Sequence, residues 1–361
     1  MKFFGASMGI LATFFMLAAA SAEERGMWPP EFGDKVRDAG GRVDFVFGAS
    51  RPFSQCHAST IVEVSSGELL AAWFGGTAEK DPDVGIWHAR FEGERWSAPE
   101  LLIKVDETAH WNPVLFEDEG VVYLFFKRGP EIPFWQTYWM QSEDGGRTWS
   151  EAVELVPGDE GGRGPVRSAP IRLADGAWLA GASTEHQAWR PFADRSDDKG
   201  QTWVRSEDFL DPEKLEGRGA IQPTVWESQP GHVHALLRTT AGRVWRTDST
   251  DGGRTWAEAH ETELPNNNSG FDVVYLPEQG RLLMVYNPVS GNWAARNPLD
   301  LAASDDNGET WKTIAHLEYD AGRSEFSYPQ IVPMEGGVAI SYTYQRERIR
   351  SWQVPLSVVT E

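Results

Sequence analysis

The sequence predicts an all-β chain folded as a six-bladed β-propeller, and three observations predict it. One eight-residue pattern recurs four times at a nearly constant interval. Six pairs of short apolar segments recur with the same period. No helical period interrupts either series, and a unit of about 50 residues with about four strands is a propeller blade.

The elements follow in chain order. Residues 1–22 read as an export leader: Lys2 gives a positive start, Gly9 to Ala20 is almost wholly apolar, and Ala20-Ser21-Ala22 has the small-x-small cleavage pattern. That run is short for a bilayer, and no later segment competes with it. A periplasmic or secreted protein is expected, cleaved near Ala22, with residues 23–361 forming one domain that spans no membrane. Val43 to Phe47 is expected to supply a strand that closes the ring and covers two sheet edges.

Six hairpins then begin near His57, Asn112, Ser168, Gln222, Ser269 and Tyr328, at intervals of 47 to 59 residues. The repeated pattern is Ser-x-Asp-x-Gly-x-Thr-Trp, an Asp-box. It occurs as Ser142-Glu-Asp-Gly-Gly-Arg-Thr-Trp149 and again from Ser196, Ser249 and Ser304, spaced by 54, 53 and 55 residues. Ala89 to Trp96 is a degenerate fifth copy that keeps the tryptophan. Aspartate and glycine supply turn conformations that β-branched residues avoid, and the serine and aspartate side chains can bond the turn's own backbone. The boxes are therefore read as structural staples, and they account for many of the 17 tryptophans.

Composition narrows the function. A net charge of −21 argues against sequence-independent nucleic-acid binding and against general attraction of an anionic glycan, so an acidic ligand needs a local arginine cluster. The single cysteine, Cys56, excludes an internal disulfide and reads as a buried, inert thiol. His57 stands in no HxH or HExxH spacing and so does not point to a metal, and no cofactor is expected. A monomer is expected.

Positions one period apart should meet around the propeller axis. Where the first strands begin, that ring reads His57, Asn112, Arg167-Ser168, Gln222, Asn268-Ser269 and Tyr328. Where the second strands end, it reads Trp73 to Gly76, Lys127-Arg128, Glu185-His186, Arg238, Asn287, and Tyr344 with Arg346. These positions are polar and differ from blade to blade while the boxes stay uniform, which marks a functional face. Trp73, Trp111, Trp135 and Trp189 are candidates for stacking on sugar faces.

The boxes, the period and the strand motifs HASTIVEVSSGELLAAWFGG, WNPVLF, Ile221-Gln222-Pro223-Thr224, the Arg238 strand, and RNPLDLAASDDNGETW with Phe326-Ser327-Tyr328-Pro329 resemble the sialidase superfamily, in its sialidase-like branch with BNR repeats. The resemblance covers essentially the whole chain after the leader. It implies a carboxylate held by arginines, a tyrosine nucleophile assisted by glutamate, and an aspartate acid/base. Residue by residue it assigns Arg238 and Arg296 to the carboxylate, Tyr328 to the nucleophile, and Asp83 to the acid/base, with Asp81 as fallback. Two positions depart from it. His57-Ala58-Ser59 stands where the family has Arg-Ile-Pro, and Gln222 stands where it has the glutamate. A neutral amide cannot take the phenolic proton.

His57 and Glu185 are then the remaining titratable groups of the ring. Asp83 and Glu185 could work as an inverting pair if they face each other across the funnel. Arg167 and Arg346 could join the clamp, with Asn112, Lys127, Gln222, Asn287 and Tyr344 completing a binding ring. The expected function is an exo-acting glycoside hydrolase on a terminal acidic sugar, sialic acid or a related ulosonic or uronic acid. Two alternatives stay open: a polysaccharide lyase on uronate glycans using His57 and Tyr328, and a glycan-binding propeller without catalysis.

Overall fold

A computed structural model of the chain describes residues 26–65 and 67–360. The leader segment lies outside the described residues. Six antiparallel sheets follow one another around an axis, and each is a blade. Blade 1 runs from Gln55–Ser65 through Glu68–Gly76 and Gly85–Glu92 to Arg95–Trp96, with Glu100–Ile103 also paired to its third strand. Blades 2 to 5 open on His110–Asp118, Ile171–Arg172, Ala220–Gln229 and Asp272–Leu276. Blade 6 contributes Phe326–Met334, Gly337–Tyr344 and Arg348–Pro355. Its fourth strand is Arg42–Phe45, from the other end of the chain, with Val43 opposite Trp352. The ring closes through that pairing.

The core is divided rather than central. Six clusters of buried apolar side chains each fill the gap between two neighbouring blades. Leu70, Ile86, Trp111 and Leu124 lie between blades 1 and 2, for example, and Leu69, Trp73, Ala339 and Ile349 between blades 6 and 1. Each sheet thus buries both faces, which explains why its strands read as apolar runs. Before the closing strand, the helix Pro29–Asp38 lays Phe32 and Val36 into the gap between blades 5 and 6, with the Phe32 ring 5.6 Å from Trp352.

The Asp-boxes sit between third and fourth strands and bond as their composition predicts. In the first, Ser142 Oγ donates to Asp144 (2.8 Å) and accepts from Gly146 N (2.8 Å), while Asp144 accepts from Thr148 N (2.8 Å) and Thr148 Oγ1 (2.6 Å). Trp149 Nε1 donates back to Gly146 O at 3.2 Å. The other three boxes repeat these bonds. The fourth box position is also gripped from the preceding blade: Arg195 Nη1 donates to Gly252 O and Arg246 Nη1 to Asn307 O, both at 2.9 Å, and Arg90 reaches Gly145 O. A box therefore ties its own turn and its neighbour together.

The inner strands carry a feature not visible in the spacing. In four blades the ladder slips at the strand's start, between His57 and Thr60, Trp111 and Val114, Ile221 and Thr224, and Ser327 and Gln330. At each slip one residue turns left-handed: Ala58 (φ 52°), Asn112 (φ 37°), Gln222 (φ 52°) and Tyr328 (φ 52°). Such a conformation costs a non-glycine residue about 1–2 kcal/mol, and the bulge it makes re-aims a side chain out of the strand's alternation. Two of the four, Gln222 and Tyr328, belong to the polar cluster at the axis.

Candidate active site

Tyr328 is the centre of that cluster. Arg238 Nη1 donates to its phenol oxygen at 2.6 Å, and Gln222 Nε2 lies 3.5 Å from the same oxygen. The guanidinium carbons of Arg167, Arg238 and Arg296 stand 5.4, 5.6 and 5.4 Å from its ring centre, and the His57 ring 4.3 Å away, tilted by 46°. Blade 5 can pass this closely because residue 270 is glycine: a Cβ there would meet Gln222 Oε1 at 3.2 Å and the Tyr328 ring at 3.6 Å.

Arg238 is fixed from two more sides. Its Nε donates to Asn268 Oδ1 at 2.8 Å and its Nη1 also to Gln222 Oε1 at 2.9 Å. Its Nη2 has no partner among the described residues. The guanidinium lies 5.7 Å from the Trp189 ring and 5.6 Å from Trp293. Arg296 donates to Glu325 at 2.9 Å, and Arg346 meets the same carboxylate at 3.0 Å. Burial pushes the Glu325 carboxyl up, but the two guanidiniums and the Ser327 hydroxyl hold it below its usual range. Arg346 continues the chain of charge to Glu79, a paired carboxylate about one-third exposed.

The other titratable groups are shaped by burial. His57 is enclosed, its Nδ1 bonded to Thr343 Oγ1 at 2.9 Å. Desolvation, followed by the charges of Arg346, Arg296, Arg167 and Arg238, holds its pKa well below the usual histidine value, so the ring is neutral at neutral pH. Glu185 is also buried, with Oε1 unpartnered. Desolvation raises its pKa, Arg238, Arg218 and Lys127 oppose the rise, and Glu79 adds to it.

The structure thus brings Tyr328, His57, Gln222, Arg238, Arg296 and Arg346 together, with Glu185 at their edge. Arg167 backs the same phenol: its Nη2 holds the backbone carbonyls of Tyr328 and Pro329, while its buried Nε and Nη1 have no partner among the described residues. Several expected residues are used elsewhere. Lys127 has no exposure, and its ammonium donates to Thr137 Oγ1 (2.6 Å) and Arg163 O (2.9 Å), so it presents no face to a ligand. Asn112 donates to Val166 O at 3.1 Å, and Asn287 to the carbonyls of Pro298 and Phe326 at 2.7 and 2.9 Å. Tyr344 packs against Phe45 and Phe326. Asp83 braces its own loop by accepting from Thr77 N and Oγ1, each at 2.9 Å.

Trp73, Trp111 and Trp135 are core residues, whereas Trp189 faces Arg238. Three participants had escaped sequence reasoning: Glu79, Glu325 and Trp293. Asn268 was read as a ring position, but not as the partner of Arg238. Trp293 is 61 % exposed, an unusual cost for so large an apolar side chain, and Asn268 Nδ2 pins its loop by donating to Asn292 at 2.7 Å. The nearness of Trp293 to Arg296 in the chain was the available signal. Among the described residues no group of three or more His, Cys, Asp or Glu could hold a metal ion, and no helix is long and apolar enough to cross a membrane.

Residues 67–340 match the family model described as a BNR repeat-like domain, about three-quarters of the chain. The chain belongs to the BNR repeat-like domain family. The fold of this BNR-repeat protein is similar to that of the Hadza microbial sialidase Hz136, at 20 % identity and a TM-score of 0.74 over 87 % of this chain and 68 % of that one. It is similar also to the intramolecular trans-sialidase from Ruminococcus gnavus (15 % identity, TM-score 0.67, 90 % and 99 % covered). A Dyadobacter fermentans protein of unknown function shares the fold as well (18 %, 0.68, 87 % and 99 %). No curated protein matches the BNR-repeat chain by sequence. Identities this low concern the fold; the chemistry has to be read from the side chains.

Proposed function

We propose that this protein is an exported, exo-acting glycoside hydrolase that removes a terminal acidic sugar. The observation that carries the reading is the juxtaposition of Arg238, Arg296 and Tyr328. Two guanidiniums flank one phenol, in a chain whose overall charge repels anions. Arg238 Nη2 and the unbonded nitrogens of Arg296 take the sugar carboxylate, since planar guanidiniums suit carboxylate oxygens. Trp293 offers a flat apolar wall at the mouth. Tyr328, lifted out of its strand by the bulge, attacks the anomeric carbon, and its phenolic proton passes to the neutral His57 ring beside it. Glu79 supplies the leaving-group proton: its carboxylate reaches the cluster through Arg346, whereas Asp83 is committed to Thr77.

The test separates the roles. Aryl and natural glycosides of sialic and uronic acids are assayed with Arg238→Ala, Glu79→Gln and Asp83→Asn. Arg238→Ala should lose turnover and binding together. Glu79→Gln should cost about 10²-fold or more on a poor leaving group and far less on an activated aryl glycoside, with Asp83→Asn near wild type. Unchanged turnover in Arg238→Ala would dismiss the clamp, and the reverse ranking of the two acids would reinstate Asp83.

One observation favours a second reading. The neutral His57 ring against Tyr328, with no carboxylate beside the phenol, is a base-and-acid pair suited to β-elimination next to an arginine-neutralised uronate. Release of an unsaturated uronate instead of a free sugar would select it, and binding without release would mark a lectin.

A further inference from the structure

A second group of reactive side chains lies at the far end of blade 4, where Ala220–Gln229 turns back into His232–Thr239. Ser228 Oγ is 2.7 Å from His234 Nε2, and His234 Nδ1 is 2.5 Å from Asp248 Oδ1. Six residues of strand separate Ser228 from Gln222, about 20 Å at the usual rise. We propose that Ser228, His234 and Asp248 form an acyl-transfer site that hydrolyses small, exposed carboxylic esters such as acetyl groups.

The geometry supports each role. Nδ1 faces a carboxylate at 2.5 Å and so carries the ring proton. Arg246 Nη2 also approaches Nδ1, but at 3.2 Å it is the more distant neighbour. Nε2 is then the unprotonated nitrogen, the acceptor that a serine hydroxyl needs. The ring cannot swing, because Trp226 stacks on it (5.1 Å between centres, 27°) and Arg246 Nε holds Asp248 at 3.1 Å. Ser228 stands at a second slip in the ladder, between Glu227 and Gln229, and is partly exposed. Asn307 Nδ2, from the Asp-box of blade 5, shares Nε2 with the serine at 3.1 Å, and once the ring takes the serine proton Nε2 no longer accepts, which leaves that N–H for the oxyanion. Trp226 Nε1 donates to Asn307 Oδ1 at 2.8 Å and so fixes which end of that amide faces the serine.

In the reaction Ser228 Oγ bonds to the ester carbonyl carbon as its proton passes to His234 Nε2. Asn307 Nδ2 meets the oxyanion. Collapse breaks the carbon–oxygen bond to the alcohol, which leaves with the proton from Nε2. Water then repeats the sequence and releases the acid, restoring Ser228.

The full chain is treated with p-nitrophenyl acetate and, separately, with a fluorophosphonate, the latter read by intact mass and peptide mapping. One adduct on Ser228 is expected, absent in Ser228→Ala, while binding at the Arg238 site is unchanged. Asn307→Asp keeps the acceptor for Trp226 but removes the donor, and should slow acetate release by about 10²-fold. Folding of both variants is checked by their thermal transitions. Wild-type protein that stays unlabelled at Ser228, or Ser228→Ala that cleaves the acetate at the wild-type rate, overturns the proposal whatever the glycosidase assays give.

Discussion

At the scale of single residues, the site turns on what surrounds one phenol. Tyr328 receives a hydrogen bond from Arg238 and has an amide, not a carboxylate, at Gln222. A nucleophilic tyrosine so placed has no carboxylate to take its proton. Gln222→Glu restores one at a position already within reach, and should raise turnover of an acidic aryl glycoside by about 10²-fold, the usual contribution of a positioned base. A steady-state comparison of the two proteins checks it; a slower variant would argue that Tyr328 does not attack. Lys127 makes a different kind of prediction. Burial lowers its pKa to about 7, so between that pH and the free-lysine value the unfolded chain binds a proton that the native chain does not. Stability should therefore rise with pH from 7 toward 9, by up to about 1.4 kcal/mol per pH unit. Lys127→Met should flatten that slope in urea melts across the same range.

At the scale of elements, the Asp-box is a turn and an inter-blade clamp in one motif. Asp251 accepts from Thr255 N, Thr255 Oγ1 and Arg254 N, while Arg195 from blade 3 holds Gly252 O. Slight burial works against it, but these bonds bring the Asp251 pKa down to about 2. A depressed carboxyl pKa stabilises the fold above the unfolded value, and that contribution is lost as pH falls toward 2. Asp251→Ala should cost on the order of 1 kcal/mol at neutral pH, like a lost helix cap, and the deficit should shrink in acid. Thermal melts at pH 7 and pH 3 measure both. The inner strands show the complementary device. Their left-handed residues spend local strain on aiming Gln222 and Tyr328, and nothing in the apolar run itself announces the slip.

At the scale of the molecule, closure is the organising fact. Six separate cores each need two blades, so a ring left open at one gap exposes the facing sides of two sheets, and without its closing strand blade 6 also bares its outer edge. Arg42–Phe45 and the helix before it cover the outer edge of blade 6 and fill part of the gap between blades 5 and 6. Removing residues 26–47 should abolish the cooperative melt and give aggregates by light scattering. A truncated chain that melts with the wild type would mean that the ring does not depend on its closing strand.

Much of this was legible in one dimension. The four boxes, the six hairpins and the closing strand follow from spacing and turn chemistry, because a blade is a local structure repeated and its residues meet near neighbours in the chain. The repeat also identified the ring positions from which His57, Gln222, Arg238 and Tyr328 converge. The sequence could not tell which side chains of that ring face the funnel. Lys127 occupies a ring position yet bonds Thr137 and Arg163, Tyr344 turns to Phe45, and of the acidic residues in one loop Glu79 reaches Arg346 while Asp83 holds Thr77. The outcomes at Tyr344 and Glu79 depend on segments more than 200 residues apart in the chain, and the others on how each loop folds and where a ladder slips by one residue. Only the tertiary structure decides them.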